Sequence, residues 1–146
     1  MRSSTKSRQD EYLARVNALY SDAEKWIEGT DLEVSRGTME LDEEALGRYA
    51  APTLTIQDAQ GKKVADLLPV GAQIIGAEGR VDIVGRLDRN HLLYLPPKEA
   101  GVRRSFKGMG EAGWYWIGET RLRRVHRLAQ ELFLDLLSEV SDYDVG

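Results

Sequence analysis

The chain has 146 residues, a formal net charge of −4 and no cysteine, which fits one domain able to bury roughly 68–70% of its unfolded surface. Without cysteine there are no disulfides, thiolate metal sites, iron–sulfur clusters or cysteine nucleophiles. No apolar run approaches the roughly 20 residues of a membrane helix.

The N-terminus MRSSTKSRQ is basic and has no apolar stretch after it, so no secretory signal is expected there. A cytoplasmic chain without membrane contact is expected, with residues 1–9 as a flexible basic arm and 10–146 as a single α+β domain. Charge falls in blocks. Residues 10–61 are acidic, with only Arg15, Lys25, Arg36 and Arg48 as cations. Over 98–127, Lys98, Arg103, Arg104, Lys107, Arg121, Arg123, Arg124 and Arg127 outweigh Glu99, Glu111 and Glu119.

In chain order, Ser7–Glu28 has apolar residues at the spacing of one helical face, from Tyr12 and Leu13 through Val16, Leu19, Tyr20 and Ala23 to Trp26 and Ile27. Gly29 is a stop. Leu32 and Val34 alternate with polar residues in one phase and Met39 and Leu41 in the other, which predicts a bulge or turn at Gly37. Asp42–Tyr49 has the acidic start of a short helix that Pro52 ends. Thr53–Gln57 predicts a strand with Leu54 and Ile56 inward. Asp58-Ala-Gln-Gly61 turns into a strand near Lys63–Leu67, broken at Pro69 and Gly71. Ala72–Gly76 is expected to pair with Arg80–Gly85, and a turn at Asp88-Arg-Asn90 leads into His91–Leu95.

Several of these strands are apolar on both faces, as at Ile74–Ile75, Ile83–Val84 and Leu93–Tyr94. Such strands need cover on both sides. The plan is therefore an antiparallel β-meander of about five to seven strands, with a long N-terminal and a long C-terminal helix packed on one face. A small bent β-barrel with flanking helices is the alternative. In the first case the second sheet face is free for a partner or for self-association.

Pro96–Gly113 has no periodicity, Trp114–Ile117 is a short aromatic strand, and a final helix is expected over Glu119–Ser141. Arg121, Arg123, Arg124 and Arg127 would crowd that helix's first half with acids in its second, against the macrodipole at about 0.3–1 kcal/mol per exposed charge near an end. Two compensations are open: pairing with the acidic first helix or the 40–44 run, or an anionic partner.

No motif names a reaction. Gly108–Gly113 has the letters G-x-G-x-x-G but lacks the strand before and the helix after that a dinucleotide site requires. His91 and His126 lie in no ligand motif and are expected to be structural or surface residues. Asp42, Glu43 and Glu44 fit a dipole-compensating run, and no catalytic residue, cofactor or metal is expected. The expected function is a non-enzymatic protein–protein interaction module, an adaptor, chaperone-like or inhibitor subunit. It would bind another protein through Arg103, Arg104, Lys107, Trp114, Trp116, Arg121, Arg123, Arg124 and Arg127. The small acidic α+β plan is similar, at fold level alone, to secretion chaperones and small immunity proteins. An accessory nucleic-acid binder using the same arginines is the alternative, opposed by a pI near 5.3. A small-molecule or enzymatic site between sheet and loop is the third reading.

Overall fold

The computed structural model describes residues 2–72, 77–95, 112–117 and 125–143. Helix α1 (Arg2–Trp26) precedes strands β1 (Glu33–Glu43), β2 (Gly47–Gln57), β3 (Lys63–Gly71), β4 (Arg80–Val84), β5 (Arg89–Leu95), β6 (Gly113–Ile117) and β7 (Val125–Arg127), and helix α2 (Gln130–Val140) follows. Among the described residues each strand pairs antiparallel with the next, giving an open seven-stranded meander with β1 and β7 at its ends. The expected α+β meander is the fold, and among the described residues the sheet does not close into the alternative barrel.

One stripe of α1, Tyr12, Val16, Leu19, Tyr20 and Ala23, is buried. The strand registers set Leu54 and Ile56, Ala65 and Leu67, Val81 and Ile83, Leu92 and Trp114 on one side of the sheet. These residues share a core with the α1 stripe and with Phe133, Leu136, Leu137 and Val140 of α2. Trp26 and Phe133 bring the two helices together, ring centroids 5.4 Å apart. Helix α1 begins at Arg2 rather than Ser7, and the Gln9 side chain donates to the Leu46 carbonyl at 2.6 Å. The expected flexible arm is thus helical from Arg2.

Two phenols of α1 close gaps in the strand ladder. Pro52 has no N–H to donate, and β2 pairs with β3 only beyond it, over Leu54–Gln57. There the Tyr20 hydroxyl shares its proton between the Pro52 carbonyl at 3.0 Å and the Leu67 carbonyl at 3.1 Å. The β3–β4 register shifts between Pro69 and Gly71. At that break the Tyr12 hydroxyl donates to the Arg80 carbonyl at 2.7 Å and accepts from the Gly71 N–H at 3.1 Å. Backbone groups that would otherwise be buried without partners are satisfied by the helix that buries them.

The segment Asp42–Tyr49 is the tip of a β-hairpin, not a short helix. Leu46 N–H bonds the Glu43 carbonyl and Gly47 takes φ 76°, a left-handed position open to glycine. Each β-residue here gains a ladder partner at once, whereas a lone helical turn bears the full nucleation cost. Glu43 holds the tip down, accepting from the Ala72 N–H at 3.0 Å and from the Tyr49 hydroxyl. The expected bulge at Gly37 is absent, since β1 and β2 pair without interruption from Glu33 to Glu43. The two opposite apolar phases are real. Tyr49 and Ala51 are buried in one phase and Leu54 and Ile56 in the other, so the twisted ribbon turns its second face inward beyond Pro52.

The C-terminal helix is shorter than its sequence pattern. Val125–Arg127 forms β7 through the pairs Tyr115↔Arg127, Trp116↔His126 and Ile117↔Val125, and helix begins at Gln130. Tertiary pairing overrides a weak local propensity. Arg127 therefore lies on no helix, and α2 carries Glu131 in its first turn, where the dipole favours an acid. Strand β3 runs through Pro69, and its partner is β4; residues 73–76, expected in that role, lie outside the described residues.

Two outcomes follow from this packing. A Cβ at Gly85 would collide with the Val140 carbonyl oxygen, a backbone atom that cannot swing aside, so Gly85→Ala will destabilise by about 1–3 kcal/mol in urea unfolding. Burial, the largest cause, raises the Tyr12 and Tyr20 phenols well above the ordinary value of about 10. The fold holds them neutral, so this stability is complete below about pH 10 and is lost as pH rises above it. Tyrosinate absorbance from these two phenols will rise together with loss of far-UV dichroism, and less of it will do so in Tyr12→Phe.

Candidate functional site

With both helices on one side, the other face of the sheet is built from the alternate residues. Pairing of Asp82 with His91, Arg80 with Leu93 and Val84 with Arg89 sets Arg80, Asp82, Arg89 and His91 side by side on it. Asp82 is 2% exposed, and a buried carboxylate is tolerated only when paired and hydrogen-bonded. Arg80 grips it with a fork, Nε to Oδ1 at 2.8 Å and a terminal nitrogen to Oδ2 at 3.1 Å. Arg89 lies 3.5 Å from Oδ2. The hydrogen bond to Asp82 is the main reason the Arg80 guanidinium is held above its ordinary range.

His91 Nδ1 stands 2.9 Å from Asp82 Oδ1 and 3.0 Å from a terminal nitrogen of Arg80. One ring nitrogen cannot serve both contacts at once: protonated it donates to Asp82, unprotonated it accepts from Arg80. The side chains of Arg89 and His91 are 56% and 52% exposed. One buried carboxylate thus anchors two guanidiniums and an imidazole, leaving at least one net positive charge on the surface.

The same face carries a small second core, in which Leu95 and Tyr115 are buried against Ala77 and Leu93. Arg127 is exposed on this face, its guanidinium 5.6 Å from the Tyr115 ring centre. The expectation of apolar residues on both faces is met in part, since Ile83 belongs to the main core while Val84 and Leu93 are half-buried on the far side. Ile74 and Ile75 lie outside the described residues.

The expected binding residues divide. Trp114 belongs to the core: it is 8% exposed, its indole N–H donates to the Arg15 carbonyl at 3.1 Å, and its ring meets Tyr94 edge-on. It has no face to offer a stacking base. Trp116 is half-buried on the helix side, donates to Asn90 Oδ1 at 3.1 Å and lies beside the exposed His126. Arg127 alone of these three reaches the outer face. Arg103, Arg104, Lys107, Arg121, Arg123 and Arg124 lie outside the described residues. The acidic first helix finds another partner for Glu24, the Arg36 guanidinium at 3.0 Å, whose hydrogen bond holds that carboxyl below its ordinary range.

Sequence reasoning missed Arg80, Asp82 and Arg89. The signal was the spacing Arg80-x-Asp82 beside Arg89-x-His91, since residues two apart on a strand share a face. A groove of about 260 Å³ lies elsewhere, lined by Asp31, Asp58, Lys62, Lys63, Asp142 and Tyr143. Its charges are largely matched internally, Asp142 by Lys62 at 3.2 Å and Arg86 at 3.1 Å, and Asp31 by the Tyr143 hydroxyl at 2.8 Å. Compared with protein-family models, curated proteins and solved structures, the chain matches none.

Arg80 and Arg89 differ in what they support. Arg80→Ala strips the fork from a buried carboxylate and will cost about 1–3 kcal/mol. Arg89→Ala removes an exposed, longer contact and will stay within about 0.5 kcal/mol. Paired urea titrations measure both.

Proposed function

We propose that the chain is a non-enzymatic, cytoplasmic protein-binding subunit that takes an acidic surface of another protein on the outer face of its sheet. The observation that carries this reading is the cluster on Asp82. Arg89 and His91 are held in place by a buried carboxylate yet remain half exposed, so a partner meets preorganised donors and orders little on contact. Arg127 extends the basic surface, and Leu93 and Val84 supply apolar area between charges. Guanidiniums are favoured where carboxylates must be gripped. No described helix is long and apolar enough to cross a membrane. The adaptor, chaperone-like and inhibitor roles share this mode of action.

The test is purification of the tagged chain from its native cells at moderate salt, with and without nuclease, beside Arg89→Glu. A stoichiometric protein that survives nuclease and is lost from the variant is the expected result. Nucleic acid alone, released steeply by salt as counterion release requires, overturns the proposal in favour of the nucleic-acid reading. A protein retained equally by Arg89→Glu moves the site off this face.

A further inference from the structure

Strand β1 ends the sheet with β2 as its ladder partner. It spans eleven residues, about twice the common strand length, and every residue of 35–40 is exposed. The side that its backbone groups face can be read from Pro52. Thr38 is paired with Pro52, which has no N–H. That pair is therefore not hydrogen-bonded, and the Thr38 N–H and carbonyl point away from β2. The same holds for every second residue, Val34, Arg36, Glu40 and Asp42. Five residues thus present an open ladder, and no strand among the described residues takes it up.

Charged side chains guard such an edge against indiscriminate pairing, but here they favour one arrangement. We infer that β1 pairs with β1 of a second copy, antiparallel about a two-fold axis at Thr38, joining two sheets into one. Thr38 is the midpoint of Glu33–Glu43, so this register alone uses the whole strand. A two-fold pairing is self-complementary only if each residue suits its own mirror position. About Thr38, Arg36, which is already forked to Glu24 at 3.0 and 3.2 Å, falls opposite the second copy's Glu40, which is 3.6 Å from its own Arg48, so the contact would extend existing ion pairs across the axis. On the other face Met39, an exposed large apolar residue at 37%, falls opposite Gly37, which has no side chain to meet it. About ten new ladder bonds would form.

Other registers serve less well. Centring on Arg36 or Glu40 sets like charges against each other. Centring on Met39 keeps one type of charge pair, Arg36 with Asp42, but shortens the ladder and removes the Gly37 seat. The ends bring Glu33 toward Glu43, whose carboxylate is already turned inward to Ala72 and Tyr49. This edge is separate from the Asp82 cluster on the outer face, and the two proposals stand or fall apart.

The full-length chain is tested by sedimentation equilibrium over a micromolar concentration series, beside Thr38→Pro and Glu40→Arg. Proline at 38 removes only an outward N–H on an edge strand, where it is tolerated. Circular dichroism and the melting temperature check that the variants stay folded. The expected result is a reversible dimer for the natural chain, with association weakened at least tenfold by either substitution in a folded protein. Because the chain has no cysteine, Thr38→Cys adds a register test. Directly opposed strand residues lie within disulfide reach, so oxidation should give a covalent dimer, and Met39→Cys should not. A monomer throughout the series, a dimer untouched by Thr38→Pro, or cross-linking through Met39→Cys instead overturns the pairing.

Discussion

The fold depends on two hydroxyls carried by one stripe of the first helix. An antiparallel meander satisfies its backbone only while its ladder is continuous; here β2–β3 pairing is absent at Pro52, and register shifts between Ile56 and Gln57 and between Pro69 and Gly71. At Pro52 and at the Pro69–Gly71 shift a buried tyrosine of α1 reaches the backbone groups left without a ladder partner. The same residues that bury apolar area also answer the polar groups beneath them. The helix is thus fixed along its axis as well as pressed on the sheet, because a hydrogen bond has a direction and hydrophobic burial has none.

Fixing α1 on one side decides the character of the other. The inner face holds the apolar layer and both helices, and the outer face is left to the alternate residues of the same strands. Asp82 is the test of that division, a carboxylate buried in a sheet face and made tolerable by a guanidinium fork. Its geometry turns an energetic liability into a rigid mount for Arg89 and His91. The Glu43 carboxylate plays a parallel structural part at the hairpin tip, tying β1 and β2 to the end of β3. Both acids act by accepting several donors at once.

Much of the meander was legible. Tyr12 to Ile27 kept a 3.6-residue period because one helical face is buried, and Leu54 and Ile56 kept a period of two because β2 has one wet side there. The turns at Asp58–Gly61 and after Gly85 were marked by residues with turn chemistry. The opposite phases around Gly37 were also genuine, but they recorded a ribbon rotating over the core and not a bulge. Local pattern was misleading where a helical period had no helix to serve it. The acids of 42–44 and the residues of 125–127 found their partners across a ladder, and sequence proximity carries no record of ladder partners.

By itself, then, the sequence determined the inventory: two amphipathic helices, a run of strands, an all-antiparallel plan and no cysteine chemistry. These follow from periodicity and composition, which are local quantities. Only the tertiary structure decided which face each alternate residue joined, so that Trp114 became core while Asp82 gathered Arg80, Arg89 and His91 on the surface. Face and register are set by pairing between strands far apart in the chain, and a shift of one residue would exchange every side chain between core and solvent.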